Sequence, residues 1–133
     1  MNVKSALLFV IIALSPAIIS GCMTQKKSEH ELAQIDAEQK LERGKSHFHA
    51  GNYNQAETDL IGATTWHATS GTQLVALKYL AFTYCVTDRA TLCRHAFNKA
   101  LQLDPRFELS EAEVTHPLWG PQFKLARNGT TTE

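Results

Sequence analysis

Leu80–Pro105 reads LAFTYCVTDRATLCRHAFNKALQLDP. Leu77, Leu80, Ala81 and Tyr84 recur at helical spacing, so a first helix carries an apolar face. Cys93, Phe97, Ala100 and Leu101 repeat the pattern on a second. Small residues at Ala81, Cys93 and Ala100 let the two backbones approach, and Leu80, Tyr84 and Phe97 fill the space beside them. A tight turn falls at Asp88-Arg89. Asp104-Pro105 ends the second helix, because proline has no N–H and restricts the residue before it. The stretch predicts two antiparallel helices, and the segments on either side are patterned to pack on them.

The order Leu-small-x-x-Tyr, small-x-x-x-Phe-x-x-Ala, Pro resembles the tetratricopeptide repeat. Gly44, Gly51, Tyr53, Ala56, Leu60 and Ala63 make a second, degenerate match, with Arg43 and His47 standing where the family has Leu and Tyr. Gly44 aligns with Ala81 and Ala63 with Ala100, each pair 37 residues apart. The usual repeat is about 34 residues, so the connection Thr64–Gly71 is slightly long. The resemblance implies an all-α fold of about two helical hairpins. The plainer alternative is an αα-hairpin in an ordinary all-helical domain.

Outward from the hairpin, Ser28-Glu29-His30-Glu31 has capping-box spacing and starts a helix running to Ala50, with Gly44 its one breaker. Its Glu-, Gln- and Lys-rich start, Glu29–Lys40, reads as a solvated extension. After Pro105, Phe107 and Leu109 can fold back on the hairpin. Ser110-Glu111-Ala112-Glu113 is another capping box, ended by His116-Pro117. Trp119-Gly120-Pro121 opens a last helix, with Pro121 near its first position. Phe123, Leu125 and Ala126 give it an apolar side, and Asn128-Gly129 is its expected C-cap. Repeat arrays need covered ends, so this segment is expected as a capping helix, with Trp119 and Phe123 near Phe97 and Leu101. Trp66 and Trp119 read as core residues, or one of them as an exposed partner anchor.

At the N-terminus, Lys4 precedes the apolar run Ala6–Ile19, which Ser15-Pro16 interrupts and which is short for a bilayer span. Ile19-Ser20-Gly21-Cys22 resembles the bacterial lipobox. That resemblance implies a lipoprotein signal peptide over 1–21, cleavage before Cys22, and acylation of Cys22 with diacylglyceryl and palmitate-type chains. Several chains make a stable anchor, at about 0.8 kcal/mol per buried CH₂. Met23 stands where the familiar retention signal has aspartate, so the outer membrane is favoured. The expected divisions are a lipidated tether over 22–28, a helical domain over 29–128 and a disordered tail over 129–133.

The chain has 133 residues, 44% hydrophobic and 20% charged, with a formal net charge of +0. That suits one small domain and offers no basic excess for nucleic acid. In an oxidising compartment Cys85 and Cys93 are a candidate disulfide. The alternative is two small buried thiols that stay reduced. Six histidines raise the question of a metal, but His47 and His49 point to different sides of a helix and the others are scattered. No metal site or cofactor is expected. There is no G-x-S-x-G, H-E-x-x-H or phosphate-cradling loop, so no catalytic residues are assigned and the chain is read as a non-enzyme.

The lipobox, the degenerate repeat, Tyr84-Cys85 with Cys93-Arg94, Asp104-Pro105-x-Phe107-x-Leu109 and His116-Pro117-Leu118-Trp119-Gly120-Pro121-x-Phe123 together resemble the TssQ-like repeat lipoproteins of bacterial type VI secretion. The resemblance implies an accessory adaptor that binds another protein of the cell envelope. Repeat proteins bind through the first helices of their hairpins, which points by analogy to a groove near Arg43, His47, Lys78 and Phe82. The alternatives are an adaptor for another envelope machine (pilus assembly or outer-membrane protein assembly) and a cell-wall-acting enzyme. No small-molecule substrate is expected.

Overall fold

The computed structural model describes residues 28–130. Six helices are found there: α1 (Glu29–His49), α2 (Tyr53–Ala63), α3 (Ser70–Val86), α4 (Ala90–Leu103), α5 (Glu111–Val114) and α6 (Gly120–Thr130). No strand occurs among the described residues. The described chain is all-α, as its periodicity predicts. The expected signal peptide at 1–21, Cys22, the tether up to residue 27 and residues 131–133 lie outside the described residues.

The Ser28 hydroxyl accepts from the Glu31 N–H at 3.2 Å and starts α1. Glu29 and Glu31 sit in its first turn, where their negative charge faces the favourable end of the helix dipole. Gly51, at φ +77°, reverses the chain where a side chain would be strained. α2 then runs back along α1, with Arg43 meeting Asp59 and Phe48 meeting Tyr53. The two helices come closest at Gly44. A Cβ there would lie 2.7 Å from Cγ of the wholly buried Leu60.

α3 is the centre of the molecule, packed by α1, α2 and α4. Leu77, Leu80, Ala81, Phe82, Thr83, Tyr84 and Cys85 are all buried. So many consecutive positions leave no polar stripe, the mark of a helix enclosed on several sides. Thr83 is fully buried, and its hydroxyl donates to the Tyr79 carbonyl at 2.8 Å, so it leaves no unpaired polar group. The cap of α3 is Thr69, whose hydroxyl accepts from the Thr72 N–H at 3.1 Å. In the turn to α4, Asp88 takes φ 59°, a left-handed conformation that aspartate tolerates. Cys93, Ala96, Phe97, Ala100 and Leu101 form the buried face of α4.

The C-terminal block closes the fold. Ser110 and Glu113 form a reciprocal capping box at α5. The corner into α6 requires Gly120, because a Cβ there would overlap the Val114 carbonyl oxygen. α6 lies on α4, with Phe123 edge-on to Phe97 at 5.2 Å and Ala126 buried. The expected stop at Asn128-Gly129 is corrected: α6 continues to Thr130. Arg127 ties this last turn to the Phe107 carbonyl and, at 3.2 Å, to Glu108.

Candidate binding surfaces

Of the four residues expected to line a partner groove, three lie against carboxylates of the chain and the fourth is buried. The Arg43 guanidinium donates to Asp59 Oδ1 at 2.9 Å, and His47 Nε2 lies 3.8 Å from Asp59 Oδ2. Both are committed to a carboxylate of α2. Lys78 reaches Glu113 at 2.7 Å. Phe82 is only 3% exposed. The groove expected beside Lys78 and Phe82 is thus occupied by the chain itself.

The occupant is the segment from α5 to Trp119. Trp119 stacks on Phe82 at 4.2 Å with 24° between the planes. His116 stacks on the other ring partner of that pile, Trp119, at 3.3 Å and 2°. The His116 Nδ1 accepts from the Leu118 N–H at 3.2 Å. The indole Nε1 of Trp119 is buried with no acceptor among the described residues, so this side chain serves as an apolar plate. Trp119 was expected near Phe97 and Leu101; it covers Phe82 instead, and Phe123 alone of the pair meets Phe97.

Lys78 is the electrostatic clasp of this closure. Its Nζ lies 5.5 Å from the Tyr79 ring centroid and 5.9 Å from that of Phe82. Burial pushes the Glu113 carboxyl up, but hydrogen bonds from Lys78 and Ser110 and the Lys78 charge together hold it below its ordinary value. The Ser110–Glu113 half of this arrangement is legible as a capping box. The Lys78–Glu113 half joins residues 35 apart and has no local signal.

On the other side of α3 an open groove of about 540 Å³ runs between α2 and α4. Leu77, Leu80 and Tyr84 line it from α3, Ile61 from α2, and Leu92 and Leu103 from α4. Ile61, Leu92 and Leu103 are exposed. α2 and α4 do not pack on each other among the described residues, so a groove is left between them with the buried Leu77, Leu80 and Tyr84 at its bottom. Lys99, His95 and Gln73 supply polar groups at the lining. At one end Arg89 pairs with Glu57 at 2.8 Å and lies over the Tyr84 ring at 4.6 Å. Burial first, and then the Glu57 charge, raise the Tyr84 phenol above its ordinary value, with Arg89 opposing. The phenol therefore stays a neutral donor at physiological pH. Sequence reading passed over this groove, although Leu92, Ala96, Lys99 and Leu103 fall along one row of α4 beside its packed face.

Cys85 and Cys93 place their sulfurs 2.13 Å apart with Cα atoms at 5.2 Å, which is disulfide geometry. The pair joins α3 to α4 next to their turn. No group of three or more His, Cys, Asp or Glu side chains able to hold a metal ion occurs among the described residues. No helix among them is long and apolar enough to cross a membrane.

No family model matches the chain. No curated protein matches it, and neither does any solved structure.

Proposed function

We propose that this chain is a lipid-anchored periplasmic adaptor, tethered to the outer membrane through Cys22, that binds another protein of the bacterial cell envelope as an accessory to type VI secretion. The anchor and the secretion system come from the resemblance of the Ile19–Cys22 stretch and of the C-terminal block. The helical pairs α1–α2 and α3–α4 are read as two tetratricopeptide-like repeats, with α6 as the cap. The observation that carries the binding role is the open groove between α2 and α4. Ile61, Leu92 and Leu103 stand exposed along it beside the polar groups of Gln73, His95 and Lys99, a mixed lining that an amphipathic helix of a partner can meet with a few apolar anchors. No residue is assigned a catalytic role.

The test is affinity capture of the tagged full-length protein from solubilised envelopes. Recovery of baseplate or membrane-complex subunits of a type VI system is the expected result. Recovery of secretin or barrel-assembly subunits instead assigns the adaptor to another machine. Labelling with palmitate, lost in Cys22→Ala together with cleavage of the precursor, tests the anchor separately.

A further inference from the structure

Trp66 is 80% exposed, more than any other large hydrophobic side chain among the described residues. It lies in the connection between α2 and α3, its ring centroid 3.5 Å from that of His67 and the two planes tilted by 34°. His67 in turn meets His30 at 5.7 Å. His30 belongs to the first turn of α1, so the Trp66 connection sits at the end of the molecule where α1 begins. Leu32, in that same first turn, is 53% exposed.

The chain leading into this end is short. Cys22 precedes Ser28 by six residues. A peptide spans at most about 3.3–3.6 Å per residue, so an acylated Cys22 holds Ser28 within roughly 20 Å of the bilayer. The end carrying Trp66 is thereby kept within reach of the membrane surface. An indole has an apolar body and one N–H donor, and tryptophan concentrates at the headgroup level of bilayers for that reason. Elsewhere in the chain the same residue type is treated differently: Trp119 is packed between His116 and Phe82.

We propose that Trp66 is a second membrane contact, its indole seated among the lipid headgroups of the bilayer that holds the anchor. The inference rests on the lipidation of Cys22 proposed above. Acyl chains hold a protein at a membrane but leave it free to turn. A second contact at Trp66 sets the α1 N-terminal end toward the bilayer and limits that rotation. The anchor makes this contact intramolecular, so a single side chain suffices where it would be too weak to recruit a free protein.

The experiment uses the lipidated full-length protein in vesicles of phosphatidylethanolamine and phosphatidylglycerol, with ordinary or brominated acyl chains. The chain has two tryptophans, so subtracting the emission of Trp66→Phe from that of the wild type isolates Trp66. The expected result is a blue shift of the Trp66 emission on reconstitution and its quenching by brominated lipid, with the Trp119 emission of Trp66→Phe unchanged. Protein that floats with the vesicles while Trp66 keeps the emission of a water-exposed indole overturns the contact and leaves the anchor standing. Protein that does not float overturns the anchor, and the inference with it. A blue shift that needs added envelope protein and shows no lipid quenching assigns Trp66 to a protein partner and overturns the proposal.

Discussion

On the α1 side of α3, Phe82 lies under Trp119, and Lys78 is held by Glu113. On the α2–α4 side, Leu77 and Leu80 of the same helix line an open groove. One helix thus presents apolar residues to both sides; among the described residues one side is roofed by the C-terminal segment, and the other lies at the bottom of a groove beside the exposed Ile61, Leu92 and Leu103. The covering segment comes from far along the sequence, after Pro105, and uses an aromatic plate and an ion pair. The difference indicates which surface is available to another molecule. A residue type suited to binding is no guide when the fold has already supplied its partner.

The largest effect should come from removing the cover. Deleting residues from Trp119 onward uncovers Phe82 and removes Phe123 from Phe97, and it is expected to abolish cooperative thermal unfolding. Burying one large apolar side chain contributes about 1.5–3 kcal/mol, against a total stability of about 5–15 kcal/mol for a domain. Trp119→Phe, which keeps an apolar ring and removes the unpaired indole N–H, should retain the transition. A truncated protein that unfolds cooperatively at the wild-type temperature would show that the α1 side does not depend on its cover.

The disulfide should rank next, and it supports both sides through α3. In the chain-entropy view a loop of this size contributes about 2–3 kcal/mol. Cys85→Ser with Cys93→Ser is expected to lower the denaturant midpoint while the far-ultraviolet spectrum stays helical. Periplasmic protein alkylated without reductant should show both thiols blocked; two free thiols would contradict the pairing.

Acid should loosen the covered side selectively. The Glu113 carboxyl titrates below its ordinary value in the fold. Its contribution is therefore present above the unfolded carboxyl pKa and is lost as pH falls through the folded one. Between about pH 6 and about pH 3 the wild type should lose more stability than Lys78→Met, which lacks the clasp from the start. Equal losses would mean that the ion pair does not hold the cover. The smallest effect on stability belongs to the open groove. Leu103→Glu adds a charge at an exposed position, so its stability should stay within about 0.5 kcal/mol of the wild type, while partner capture is lost.

The same contrast separates what was legible in the sequence from what was not. The α3–α4 turn at Asp88-Arg89, the stop at Asp104-Pro105, the close approach at Gly44 and the caps at Ser28 and Ser110 all rest on local chemistry, and the structure has each in place. The destination of Trp119 depends on the path of the chain after Pro105, which no local rule sets. The Lys78–Glu113 pair was hidden for the same reason. The end of α6 was misjudged because Arg127 holds its last turn through residues 107 and 108, while Asn128-Gly129 by itself signals a stop. The open groove was missed because Leu92 and Leu103 lie beside the packed face of α4 and line a groove only where α2 and α4 stand apart.

The most direct measurement is site-specific photo-crosslinking in living cells, with the crosslinking amino acid placed at Leu103 in the open groove or at Tyr79 on the covered side. The account predicts that Leu103 captures an envelope protein and that Tyr79 captures none. Capture from Tyr79 with none from Leu103 would contradict it, and would show that the C-terminal cover gives way to the partner.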